Sequence, residues 1–191
     1  MKKLLNPIEF YNDRKLLTAN LIIFAVGTAL AVLMKAVFGS PIDLHFASTI
    51  VPFETILGNV IAILCLLMIF YLSGKIINKK TRLIDCFNLA LYVRIPYYFL
   101  ALSNVFYYFS DVSKKIEKEH DLSFLEENTL TEMVIVYLFT FLFLGLLLLF
   151  GVIIYRSFRT ITNSKKTTDY LTLVGVFLTI TIISTFLYRN F

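Results

Sequence analysis

The sequence predicts an all-α fold: a polytopic membrane helix bundle with five transmembrane helices, its amino terminus cytoplasmic and its carboxyl terminus outside. Three observations predict it. The 191 residues are 58% hydrophobic and 16% charged, against about 25% charged for a soluble domain. The apolar residues are gathered in runs long enough to cross ~30 Å of hydrocarbon. Basic residues cluster between alternate runs, as the charge asymmetry of membrane loops requires. The polar stretches are too short for a second domain, so residues 1–191 are expected to form one membrane domain. The net charge of +5 does not point to nucleic acid, because the basic residues flank apolar runs rather than lining one polar face.

Residues 1–16 mix Lys2, Lys3, Arg14 and Lys15 with Ile8, Phe10, Tyr11 and Leu16. Asn6-Pro7 has the form of a helix start. A short helix lying on the membrane surface is expected, with its aromatics among the headgroups. The first span is predicted over 17–38, interrupted only by Thr18, Asn20, Thr28 and Lys35. Ala29-Leu30-Ala31 resembles a signal-peptide cleavage site, but the apolar run continues past it to Val37, so an uncleaved span is expected. The loop GSPIDLHFAST contains no basic residue, as suits a translocated turn.

The second span is predicted over 50–72, entered at Pro52 and Glu54, with Asn59 and Cys65 deeper. Lys75, Lys79, Lys80 and Arg82 then form a dense basic loop. The third span, 83–109, exceeds the minimum length and must tilt, kink at Pro96 or protrude. It carries Asp85, Asn88 and Arg94, polar groups tolerated in hydrocarbon only where a partner is supplied, which makes it the expected centre of the bundle. The acidic segment DVSKKIEKEHDLSFLEENTLT is predicted to lie outside, in part as a short helix with Lys–Glu pairs. Spans four and five are expected over 132–155 and 170–188, joined by a basic loop with Arg156, Arg159, Lys165 and Lys166. Twelve Lys and Arg fall on the amino-terminal side of this arrangement and five on the other, which sets the predicted orientation.

The NPIEFY segment, the outer loop IDLHF and the basic loop GKIINKKTRLIDCFNLALYVRIPYY leading into a proline-containing third helix together resemble the Yip1-domain family of membrane proteins. In particular they resemble its small bacterial members, which are little more than the membrane domain. The resemblance covers nearly the whole chain and rests on Gly74, the basic positions and Asp85 after it, and Pro96. It implies the bundle fold and a bacterial cytoplasmic membrane location, and brings no activity with it. Eukaryotic members associate with small prenylated GTPases through a cytosolic amino-terminal extension, which the short segment before span one does not provide.

Among the polar residues, Asp85 and Asn88 share a helix face near the start of span three. Asp85 is expected to cap the helix or to pair with Arg82 or Lys80, since carboxylates suit a helix amino terminus. Arg94 lies too deep to snorkel, so a partner inside the bundle is expected. Depth along the antiparallel second span nominates Glu54, with Asn59 near the same level. Such a pair reads either as a structural pin between helices or as a substrate or ion site.

No nucleophile elbow, HExxH or Walker pattern occurs, and the chain is not expected to be an enzyme. Glu126-Glu127 resembles the EExxxR of membrane-embedded prenyl proteases, but Thr131 stands in place of the arginine. Asp43, His45, His120 and Asp121 lack the spacing of a metal site, and no metal or cofactor is expected. Cys65 and Cys86 read as packing residues rather than a disulfide. Two function classes follow. One is a non-enzymatic membrane scaffold or organiser that binds other membrane proteins or copies of itself, and contacts anionic lipid headgroups through Lys75, Lys79, Lys80, Arg82, Lys165 and Lys166. The alternative is a small transporter or channel-like protein with a polar path at Arg94 and Glu54. The first requires a dry core around Arg94, the second a continuous polar cavity.

Overall fold

A computed structural model describes residues 2–47, 49, 51–104, 108–111, 130–164 and 166–189. Residues 112–129 of the predicted acidic outer segment, with His120, Asp121, Glu126 and Glu127, fall outside the described residues, as does Lys165. The amino-terminal surface segment is two single turns, α1 (Lys2–Leu5) and α2 (Pro7–Phe10), separated at Asn6. Asn6 does not cap α2. Its side chain is turned to the far end of the chain, donating to Thr160 Oγ1 at 2.8 Å.

Helix α3 (Asp13–Leu33) starts earlier than predicted because Asn12 caps it, accepting from the Arg14 amide at 3.1 Å, and Asp13 sits at the positive end of the helix dipole. It also stops earlier, since Lys35 takes a left-handed φ of 52° and turns the chain into a two-stranded antiparallel ribbon. That ribbon pairs β1 (Ala36–Val37) with β2 (His45–Phe46) and closes the loop predicted as a translocated turn.

Helix α4 (Pro52–Ile77) has Pro52 in its first turn and runs past the predicted end at 72. Nothing in SGKII breaks it, and Gly74 brings it against the loop that follows, where a side chain at 74 would stand 2.7 Å from Thr81 Cγ2. The basic loop is therefore only Asn78–Arg82 long. The predicted third span is not one helix: α5 (Leu83–Tyr92) and α6 (Ile95–Ala101) are separated at Val93-Arg94, and a 3-10 turn, Leu102–Asn104, follows. Helix α7 (Leu130–Thr162) extends beyond the predicted Tyr155, so Arg156 and Arg159 stand on its last turns rather than in a loop. Helix α8 (Thr167–Arg189) is the last of the described elements.

Among the described residues four helices are long and apolar enough to cross a membrane, namely α3, α4, α7 and α8, the multi-pass architecture of an integral membrane protein. The predicted third span is divided just before Pro96, the kink that its length allowed for, and neither α5 nor α6 is by itself long enough to cross. Nevertheless α5 and α6 together follow α3 from end to end: Arg82 meets Asp13 at the start of α3, and Asn104 donates to the Met34 carbonyl at its end. One end of the bundle gathers the amino-terminal turns and both basic loops, joined by Asn6–Thr160, Arg82–Asp13 and the Asn78 amide on the Thr162 carbonyl. The ribbon and Asn104 lie at the other end.

The core sits where α4, α5 and α6 meet α3 and α7, around Leu66, Ile69, Phe70, Leu89, Val93 and Phe158. Helix α4 is the most enclosed of the long helices and α8 the least. Two glycines permit the closest approaches. A Cβ on Gly27 would overlap the Tyr98 ring, and one on Gly58 would stand 2.5 Å from the Phe38 carbonyl oxygen.

Candidate functional site

The interruption between α5 and α6 is the local event that builds the site. Pro96, in the first turn of α6, has no amide hydrogen to continue the ladder. The Arg94 amide turns back to the Leu91 carbonyl at 3.3 Å, and the Arg94 carbonyl accepts from both Tyr97 and Tyr98. The break therefore presents Arg94, Tyr97 and Tyr98 together to the interior, where all three are buried.

Arg94 is 0% exposed. Its Nη2 donates to Asn59 Oδ1 at 3.2 Å and its Nη1 to the Pro41 carbonyl at 3.1 Å. The guanidinium lies over two rings, 4.4 Å from the Phe38 centroid and 4.8 Å from that of Tyr97. Asn59 passes the network on, donating to Thr28 Oγ1 at 2.7 Å and to the Tyr98 hydroxyl at 3.0 Å. Thr28 in turn donates to the Phe24 carbonyl. One buried cation thus ties α3, α4, α6 and the loop after β1. The named partner is corrected: Glu54 is exposed on α4 and forms no ion pair with Arg94, whose contacts are neutral oxygens and aromatic faces. Arg94 Nε and the Tyr97 hydroxyl have no hydrogen-bond partner among the described residues.

Two hydrogen bonds to a charged donor are worth about 1.5–3 kcal/mol each, and a desolvated cation–π contact adds about 2 kcal/mol. Against them stands a desolvation penalty of several kcal/mol. The terms are of one size, so the network contributes more to the mutual positions of the helices than to net stability.

A second polar cluster holds the other end. Asp85 accepts both Arg82 Nε at 2.8 Å and Nη2 at 2.7 Å, which bears out the pairing read from the sequence, and Arg82 Nη1 also meets Asp13 at 3.0 Å. The Asp85 and Asp13 carboxylates push the Arg82 pKa further above its ordinary value. Asn20 donates to the Asn88 carbonyl and side-chain oxygen at 3.1 and 3.3 Å. Asp85 and Asn88 thus serve one cluster, separate from Arg94.

The basic loop is less available than its composition suggests. Arg82 is engaged by two carboxylates, and Lys75 is half-buried with its ammonium on the Lys79 carbonyl at 2.8 Å. Lys79, Lys80 and Lys166 are exposed. Asp43 and His45 approach to 3.4 Å, and no group of three metal-ligating side chains occurs among the described residues. Cys65 and Cys86 are not joined in a disulfide.

Sequence reasoning passed over Asn20, Thr28 and Tyr98 as members of these networks. The signal was present in the first two, polar residues eight apart on one side of an otherwise apolar helix. Compared with known protein families, curated proteins and solved structures, the chain matches none of them.

Proposed function

We propose that this chain is a non-enzymatic membrane organiser of the Yip1-like type, a bundle that crosses a bacterial cytoplasmic membrane five times, with α5 and α6 together forming the third crossing. Its amino terminus and basic loops face the cytoplasm and its carboxyl terminus the outside. It acts by holding other membrane proteins or copies of itself, with Lys79, Lys80 and Lys166 against anionic headgroups. The observation that carries this reading is the complete burial of Arg94 on Asn59 and the Pro41 carbonyl. A cation enclosed by neutral oxygens of two neighbouring segments supports a pin between helices rather than a polar path.

The unpartnered Arg94 Nε and Tyr97 hydroxyl favour the second reading, transport through a rearranged core. Reconstitution separates the two. Proteoliposomes should retain trapped ions and small solutes as protein-free vesicles do, and crosslinking in intact cells should trap the chain on membrane proteins. A flux that disappears with Arg94→Leu would overturn the organiser reading.

A further inference from the structure

We propose that the cleft between α2 and the end of α7 holds one anionic phospholipid, with its phosphodiester on Arg156 and Arg159 and one acyl chain along the groove between α7 and α8. The proposal deepens the reading above and rests on its placing this end of the bundle in a lipid leaflet. Arg156 and Arg159 are three residues apart on α7 and so share a face. Both are exposed, and neither forms an ion pair among the described residues, in contrast to Arg82 with its two carboxylates. They line a cleft of about 840 Å³, within the range of sites that take small ligands. Two guanidinium forks on one wall match the oxygens of a phosphate.

The opposite wall is fixed rather than loose. Buried Asn6 donates to Thr160 Oγ1 at 2.8 Å and to Glu9 Oε2 at 2.7 Å, fastening α2 to α7. Glu9 also lines the cleft. Its carboxylate offsets part of the positive charge and offers an acceptor, so the site suits a phosphodiester with a hydroxyl-bearing headgroup better than a doubly charged phosphomonoester.

Tyr155 stands between the cleft and an apolar groove. It lines both, and its ring stacks on Tyr170 of α8 at 4.8 Å. The groove, about 560 Å³, runs between α7 and α8 past Gly151, Leu173, Val174 and Phe177. A Cβ on Gly151 would meet nothing within 4 Å, so the glycine leaves the width open. A charged pocket at the end of a helix, with a groove of acyl-chain character on the other side of one shared tyrosine, fits an amphiphile. A soluble anion would leave the groove unused.

Native mass spectrometry of the full chain in mild detergent, titrated with phosphatidylglycerol, tests this. One lipid per chain is expected at low concentration, weakened about tenfold or more by Arg156→Gln with Arg159→Gln, as the loss of charge-assisted bonds entails. Gly151→Phe, which removes no charge, should weaken it as well, and Glu9→Gln should raise the affinity for phosphatidic acid relative to phosphatidylglycerol. Unchanged binding in the arginine variant overturns the site, and unchanged binding in Gly151→Phe overturns the acyl groove. Displacement by glycerol 3-phosphate as effective as by the lipid would make the ligand a free phosphate ester. The organiser reading fails separately. Loss of preference for anionic vesicles on Lys79→Gln, Lys80→Gln and Lys166→Gln reads the basic loops, while the one-lipid adduct reads this cleft.

Discussion

Asn59 of α4 accepts a hydrogen bond from Arg94 at 3.2 Å and gives two others to Thr28 and Tyr98, so one amide joins the cation at the α5–α6 break to α3 and α6. An amide suits this place because it accepts on one side and donates twice on the other. A carboxylate there would pair the charge but would have no proton to give Thr28, whose own is on the Phe24 carbonyl.

Arg94 and Asn59 should therefore be strongly coupled and Arg94 and Glu54 should not. In detergent unfolding, Arg94→Leu and Asn59→Leu each leave buried groups unpaired and should cost about 3 kcal/mol, with a non-additive term of about 0.5–3 kcal/mol in the double variant. Glu54→Leu should change stability by less than about 0.5 kcal/mol and add independently. Strong coupling of Glu54 to Arg94 would return the carboxylate to the site.

The glycines separate by what surrounds them. Gly27→Ala and Gly58→Ala press a methyl group into the Tyr98 ring and the Phe38 carbonyl, and overpacking of this kind costs about 1–3 kcal/mol. Gly145→Ala meets nothing within 4 Å and should be silent or slightly stabilising. Melting temperatures of the three variants, read side by side in one detergent, check the contrast.

The sidedness of the bundle is open to labelling. In a background free of Cys65 and Cys86, Asp43→Cys should react with an impermeant maleimide in intact cells, whereas Lys80→Cys should react only after permeabilisation. Both positions are at least partly exposed, so access to the reagent and not burial decides the result. The reverse pattern would invert the orientation derived from the basic loops.

What the sequence made legible, and what it hid, follows from the kind of signal each feature leaves. Uninterrupted apolar runs marked α3, α4, α7 and α8, but their ends were drawn where polarity begins, and helices do not stop for that reason. Residues such as Ser73, Lys75 and Arg156 continue a helix into the interface, while the stop after α3 came from the left-handed Lys35, which composition does not reveal. Arg94 is recognisable as a buried cation because nothing near it allows it to snorkel. Its partner is not, because depth along a span does not tell which face of α4 a residue occupies. Glu54 and Asn59 are five residues apart and so point ~140° away from each other around α4. The inward one is the amide.

The break between α5 and α6 poses the sharpest question, whether Pro96 or the Arg94 network imposes it. The buried anchors Arg94, Tyr97 and Tyr98 all lie at or just after the break, and straightening the segment would rotate them away from Asn59, Phe38 and the Pro41 carbonyl. Pro96→Ala supplies an amide that could bond across the break, a gain of about 1 kcal/mol, against the larger loss of those contacts. The variant should therefore keep the break. Spin labels at Leu83 and Leu102, both exposed, should report the same distance in wild type and in Pro96→Ala. Adding Arg94→Leu removes the anchor and should shift that distance toward the value of a continuous helix, ~1.5 Å per residue. If Pro96→Ala shifts it alone, the proline sets the geometry and the Arg94 network only occupies the space the break provides.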